Sequence, residues 1–322
     1  MVGKIEFPEG VTWSIRGIVG ADFLGEGFAP PSCERFYSYA NNYVVDIKYD
    51  TSKVTTMYYM FTNCQNLTTA PQMDTSNVTT MGYMFNQCNN LTSVPQMDTS
   101  NVTTMRNMFY YCAKLTSVPQ MDTSNVTDMQ YMFNQCNNLT SVPQLDTSSV
   151  TNMSNMFYYC SNLTSVPQMD VSSVTDASSM FQNCSKLTEL PNFNFLKLTK
   201  FGASYNCWLY GSKLKKLGVV DCDSITDIGY FFSNAANNNL TDFGGCRNLG
   251  KASSVSNTNS AYFMAYAPNL TYESVMNVIN LLYDRAANGL STLTLKLHAN
   301  HMAMLSADDI AIATNKGWSL TS

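Results

Sequence analysis

Apolar residues return along this chain every 24 positions. Between Asp74 and Met97 they fall at Val78, Met81, Met84, Phe85, Cys88, Leu91, Val94 and Met97, with uncharged polar residues in nearly every gap. The order repeats in phase at Cys64, Cys88, Cys112, Cys136, Cys160 and Cys184, at the phenylalanines from Phe61 to Phe181, at the aspartates from Asp50 to Asp170 and at the prolines from Pro71 to Pro191. The unit reads D-T-S-x-V-T-x-M-x-x-M-F-x-x-C-x-x-L-T-x-x-P-x-M. The spacings V-x-x-M and L-x-x-V turn apolar side chains inward on two sides of a coil. Proline after the inward Ala, Val or Leu (Ala70 to Leu190) ends a short strand, because it has no N–H to donate. The following D-T-S-N reads as a turn in which Asp accepts backbone N–H groups.

The pattern decays outward. Upstream, "FYSYANNYVVDIKYD" keeps the register with Tyr37 in the Phe slot and Ala40 in the Cys slot. Downstream, the unit after Phe193 fits with a three-residue insertion, and the unit restarting at Asp221 places Leu240 two residues late. Nine units are legible, six regular and three degraded. Degraded ends are expected of a stack whose last coils face water. Beyond them, Val275, Val278, Ile279, Leu282 and Tyr283 have the spacing of an amphipathic helix, with Thr271 as its cap and Gly289 where it would stop. "STLTLKL" alternates like a strand. "SADDIAIATNKGW" predicts a second helix, capped by Ser306 with Asp309 at N3 and ended by Gly317. A final strand would follow. The division expected is an N-terminal cap over 1–32, regular repeats over 33–193, degenerate repeats over 194–268 and a C-terminal cap over 269–322, all one continuous domain.

A single 24-residue unit has too little apolar surface to offset the entropy of ordering, roughly 1–2 kcal/mol per residue. Stacked units share one core, so the fold expected is an α/β repeat: a right-handed solenoid of leucine-rich-repeat type with short parallel strands. The string "MFxxCxxLTSVPQMDTSNVTxM" resembles the BspA-like leucine-rich repeats of bacterial surface proteins. The likeness is to the Met-Phe/Asp-Thr-Ser-Asn subtype of gut bacteria, mycoplasmas and their prophages. It covers about residues 33–243, and the C-terminal helical segments resemble caps that follow such arrays. The resemblance implies a curved scaffold for adhesion or recognition at a cell surface, with an extracellular protein or carbohydrate as partner. A phage or prophage tail component is the alternative it implies. It carries over no catalytic residue and no cofactor.

Charged residues make up 13% of the chain, against about 25% in an average protein. The net charge is −5 and no basic cluster stands out, which argues against nucleic acid. No apolar run reaches the length of a membrane span, and "MVGKIEFPEG" lacks the marks of a signal peptide. A monomer is expected.

Each ladder has a packing reading and a chemical one. The cysteines suit buried free thiols. Disulfides or a metal would need convergent Cβ vectors, whereas stacked copies hold them parallel. The methionines suit deformable core filler rather than soft-metal binding. The aspartates suit local N–H acceptance. Calcium is the alternative, but each unit offers one carboxylate with no second acid at ligand spacing. The Asn-x-Thr strings suit turn chemistry between coils rather than glycosylation. The adjacent Thr pairs point to opposite faces, and Asp128 and Asn152 break the row, which argues against a flat ice-binding array. His298 and His301, in "LHANHM", could share a metal if helical, but their flanks suggest a loop or surface position and no third ligand is evident. No catalytic motif is present, and no enzymatic activity is expected.

The copies differ in two slots. Before the second Met stand Tyr59, Tyr83, Asn107, Tyr131, Asn155 and Ser179; after Phe stand pairs that include Tyr110-Tyr111 and Tyr158-Tyr159. Tyr59, Tyr83, Tyr110, Tyr111, Tyr131, Tyr158 and Tyr159 are the candidate binding residues, since Tyr offers contact area at low entropy cost. The competing reading is that each Tyr fills the gap beside an Asn of the next coil.

Overall fold

The structure is a computed structural model, and it describes residues 27–28, 49–199, 201, 208–226, 239–251, 264 and 267–322. Apart from Gly27–Phe28, the cap expected over 1–32 lies outside the described residues, as do most of the upstream unit and parts of the degenerate units.

The regular coils stack in parallel with a step of 24 residues. Thr56, Thr80, Thr104, Asp128, Asn152 and Asp176 form one continuous row of parallel bridges. The pairing expected from the sequence is therefore present, but each coil contributes single bridges rather than strands. The burial pattern explains this. Inward residues recur at every third position in two runs offset by one (Val78, Met81, Met84, then Phe85, Cys88, Leu91, Val94, Met97), whereas a strand turns every second side chain to one face. Successive β-turns produce the spacing of three. Met60 N–H bonds to Met57 O, Thr62 to Tyr59 O and Cys64 to Phe61 O, each at 3.1 Å, and the later coils repeat the set.

Between coils the backbone bonds alternate along the same arc. Met57, Tyr59, Phe61 and Asn63 donate to Thr80, Gly82, Met84 and Asn86 of the following coil. Side chains add rungs. Gln96 Nε2 donates to Gln120 O at 2.7 Å, Gln120 to Gln144 O and Gln144 to Gln168 O. Asn77, Asn101 and Asn125 donate to Ser52 O, Ser76 O and Ser100 O. The buried hydroxyls of Thr99, Thr123 and Thr147 donate to the carbonyls of Asp122, Asp146 and Asp170. The Asn of each D-T-S-N string is thus committed to turn and stacking bonds.

In the core Phe61, Phe85, Phe109, Phe133, Phe157 and Phe181 form a column with centroids 5.4–5.7 Å apart and nearly parallel planes. Trp208 closes it against Phe181, Phe193, Phe195 and Phe201. Burying each ring contributes roughly 1.5–3 kcal/mol, the main return for ordering so polar a chain.

Short strands are found toward the two ends of the stack. Near the N-terminal end β1 (Gly27–Phe28) pairs in parallel with β2 (Tyr49–Asp50). From the last regular unit into the degenerate ones, β3 (Glu189–Leu190), β5 (Lys216–Leu217) and β7 (Asp242–Phe243) form one parallel sheet. A second contains β4 (Phe193–Asn194), β6 (Val220–Asp221) and β8 (Cys246–Arg247). The register Glu189↔Lys216 is the step of 24 plus the three-residue insertion, and Lys216↔Asp242 carries the two-residue delay of Leu240.

The C-terminal cap contains α1 (Tyr272–Leu281), β9 (Leu293–Lys296), α2 (Ala299–Met304), α3 (Ala307–Asn315) and β10 (Trp318–Thr321), with β9 and β10 parallel. Thr271 caps α1, and Ser306 with Asp309 forms the capping box of α3. Two expectations fail here. Helix α1 ends at Leu281, well before Gly289, because the chain leaves the helix to join the stack: Asn248 donates to Leu281 O, and Tyr283 donates to Leu249 O. The surface position expected of the histidines fails for His301, not for the half-exposed His298. His298 caps α2, and His301 on that helix is fully buried.

Candidate recognition surface

The two variable slots share a backbone conformation. Tyr59, Tyr83, Asn107, Tyr131, Asn155 and Ser179 in the first slot, and Asn63, Gln87, Tyr111, Gln135, Tyr159 and Asn183 in the second, all have φ between 55° and 62°. Each is the third residue of a hydrogen-bonded turn, as in Met57–Met60 and Phe61–Cys64. A type II turn requires positive φ at this place. Non-glycine residues occupy it at a cost, and Asn does so most readily. The sequence did hold this signal: neither slot ever contains Val, Ile or Thr, whose branched Cβ suits it least.

Five of the seven candidate tyrosines therefore occupy left-handed positions, while Tyr110 and Tyr158 do not. The tyrosines divide into groups. Tyr59 and Tyr83 stack at 4.4 Å, and Tyr58, not anticipated from the sequence, packs edge-on against both. Its ring lies over Gly82, where a Cβ would come within 2.6 Å of it. Tyr110 meets Tyr131 of the next coil in a T-shaped contact at 6.1 Å. Tyr110 also leans on Tyr111 at 6.2 Å, and Tyr158 on Tyr159 at 4.7 Å. Partial burial, with the hydroxyls of Tyr159, Tyr110 and Tyr131 nearby, raises the Tyr158 pKa. Asn107, beside Tyr83 and Tyr131 in the first slot, is buried. Filling of inter-coil gaps thus accounts for Tyr110 and Tyr131. It does not account for Tyr111 and Tyr159, which are 40% and 43% exposed and are the only exposed large hydrophobic residues among the described regular coils.

This flank is nearly free of charge. Across 81–88, 105–112, 129–136 and 153–160, Arg106 alone carries one. Amides of Gln87, Gln135, Asn155 and Asn183 lie half-exposed beside the rings.

The aspartates form a separate row. Asp74 Oδ1 accepts from Ser76 N at 3.0 Å and from Ser76 Oγ at 2.7 Å, and Asp98, Asp122 and Asp146 repeat both bonds. These serine donors lower the pKa of Asp50, Asp74, Asp98 and Asp122 against a smaller opposing effect of desolvation, to which neighbouring aspartates add at Asp50 and Asp98. Among the described residues no group of three His, Cys, Asp or Glu side chains is placed to hold a metal. The described cysteines are free and buried. No helix among the described residues is long and apolar enough to cross a membrane.

Comparison with known proteins places this geometry in context. The family described as "Mycoplasma protein of unknown function, DUF285" matches residues 32–142, 112–207 and 135–243. A crystal structure of a leucine-rich repeat protein from Bacteroides ovatus ATCC 8483 is similar at 14% identity, covering 86% of this chain and 83% of that one, with a TM-score of 0.35. No curated protein matches the chain.

Proposed function

Because the chain belongs to the DUF285 family and its repeats are of the BspA-like leucine-rich type, we propose that it is a non-catalytic recognition scaffold that works at a bacterial cell surface. In this reading the solenoid is right-handed, the hand that parallel crossovers take. It acts as a monomer, and its tyrosine-bearing flank contacts an extracellular protein or glycan.

One observation carries the proposal. Tyr111 and Tyr159 occupy the same slot two coils apart, on left-handed backbone, and are the exposed tyrosines of the described regular coils. A left-handed L-residue costs about 1–2 kcal/mol, and a ring left partly in solvent regains less of that by burial than a packed one. Asn in the same slot, as at Asn63 and Asn183, meets the backbone demand at lower cost. A contact made by the rings would compensate for the difference.

The test is binding of the purified protein to immobilised extracellular-matrix proteins and glycans, beside a variant with Tyr110, Tyr111, Tyr158 and Tyr159 replaced by Ala. Loss of binding with an unchanged melting profile is the expected result. Unimpaired binding by the variant would refute the proposal, as would a variant that loses binding only because it no longer folds.

A further inference from the structure

We propose that the second variable slot forms a linear track for a neutral, extended β-1,4-linked polysaccharide lying along the solenoid axis. The inference rests on the recognition surface above and names its ligand.

The row runs Gln87, Tyr111, Gln135, Tyr159, Asn183, one residue per coil, all with φ near +60°. Its members are fixed relative to one another by the main chain. Gln87 N–H bonds to Tyr110 O, Tyr111 to Asn134 O, Gln135 to Tyr158 O, Tyr159 to Gln182 O and Asn183 to Tyr210 O, at 2.6–2.9 Å. Neighbouring coils joined this way are spaced like paired strands, so Tyr111 and Tyr159 stand about 10 Å apart, two steps of roughly 4.8 Å.

That separation suits one kind of polymer. Successive sugars of a β-1,4-linked chain are turned over relative to each other. The same face therefore returns at every second sugar, at a pitch close to two coil steps. The apolar C–H face of alternate sugars can lie on Tyr111 and Tyr159, while the amide of Gln135 reaches the hydroxyls of the sugar between them. Gln87 and Asn183 continue the polar contacts at either end. Each exposed ring is propped by a less exposed one, Tyr110 behind Tyr111 and Tyr158 behind Tyr159, so the platform is ordered before a ligand arrives.

The surroundings favour a neutral glycan over a protein. A protein contact concentrates its binding energy in a contiguous, water-excluding cluster. Here the two exposed rings are separated by a glutamine. With Arg106 the one charge on this flank, a polyanion would find little to hold it.

Calorimetric titration with cellohexaose, N-acetylchitohexaose and maltohexaose tests the inference. At least one of the two β-linked probes should bind, and the α-linked maltohexaose should bind at least tenfold more weakly. Tyr111→Ala and Tyr159→Ala should each weaken binding roughly tenfold. The decisive variant exchanges two residues, Gln135→Tyr with Tyr159→Gln. It keeps two tyrosines and residue types this slot already accepts, but sets the rings one coil apart. It should bind as weakly as Tyr159→Ala, with the melting temperature of the parent. Failure of both β-linked probes to bind, or full binding by the exchanged variant, would overturn the track. Tyrosine-dependent capture of an extracellular-matrix protein, with no hexaose bound, would overturn the glycan and leave the recognition surface standing. Indifference of every ligand to the tyrosine variants would remove both.

Discussion

The thiol of Cys88 donates to the main-chain oxygen of Phe61 in the preceding coil, 3.0 Å away. Cys112, Cys136, Cys160 and Cys184 repeat the contact with Phe85, Phe109, Phe133 and Phe157. A residue type often read as a crosslink is here a small core side chain with one weak donor. Its polar hydrogen satisfies a carbonyl in the otherwise apolar interior.

Burial pushes the thiol pKa values of Cys88, Cys112, Cys136, Cys160 and Cys184 upward, so almost no thiolate forms near neutral pH. These five thiols should resist iodoacetamide in the native protein at pH 8 and react together once the stack is unfolded in guanidinium. Mass spectrometry of the alkylated peptides checks this. Rapid native labelling of any of the five would contradict the packing described.

The left-handed slots give a second prediction. Gln135, at φ 59°, should tolerate Gly or Asn without loss of stability, since both enter this region more readily than Gln. Gln135→Val should lower stability by about 1–2 kcal/mol, because a branched Cβ meets the backbone there. Chemical denaturation of the three variants separates the effects. Equal losses for Gly and Val would mean that side-chain contacts, not backbone conformation, decide this position.

Much of the fold was legible because a 24-residue period writes each structural demand six times. The inward Val, Met, Phe, Cys and Leu, the insertion that sets the 27-residue register of Glu189 with Lys216, and the caps at Thr271 and Ser306 all depend on local pattern. What stayed hidden depends on tertiary partners. Nothing around Leu282 says that α1 must stop there; Leu249, a neighbour only in space, pairs with Leu282 and draws the chain into the stack. His301 resembles a surface residue in "LHANHM", yet packing buries it. At the candidate site the sequence located the slots where copies disagree. It did not divide the rings into packed and exposed members, since exposure depends on the coils above and below.

Acid should lower the stability of the protein in two pH windows. Burial lowers the pKa of His301, and His298, with its ring centroid 5.9 Å away, adds to the shift. The unfolded chain then takes up that proton first as pH falls below about 6.5, so the stability of neutral His301 is complete above this pH and lost below it. The carboxyls of Asp50, Asp74, Asp98 and Asp122 are also held below their ordinary range. Their contribution persists above about pH 4 and is lost as pH falls through the carboxylate range. Melting temperature should be flat from pH 8 to 7, decline gently to pH 5 and fall steeply under pH 4. Replacing Ser76, Ser100 and Ser124 together with Ala should lower stability at pH 7 and flatten the steep limb while leaving the histidine limb unchanged. A steep limb of the same slope in that variant would show that the serine hydroxyls do not set the carboxyl pKa values.

The seam between the stack and the C-terminal cap should fail at Gly250. This residue has φ 81°, and a Cβ built on it would stand 2.3 Å from the Trp318 ring. Trp318 cannot swing aside cheaply, because it is fully buried and its Nε1 donates to Tyr283 O at 3.0 Å. The Gly250 carbonyl in turn accepts from the guanidinium of Arg285, a buried cation that also donates to Ser291 O at 2.7 Å. Gly250→Ala therefore combines left-handed strain with overpacking beside a buried charge, and should cost about 2–4 kcal/mol. The damage should be local. Hydrogen exchange should accelerate across α1, β9 and β10, while the amides of Phe85, Phe109 and Phe133, bonded from coil to coil in the middle of the stack, keep their protection. Uniform acceleration through the regular coils would mean that cap and stack unfold as one unit, and that the last coil depends on the cap for more than cover.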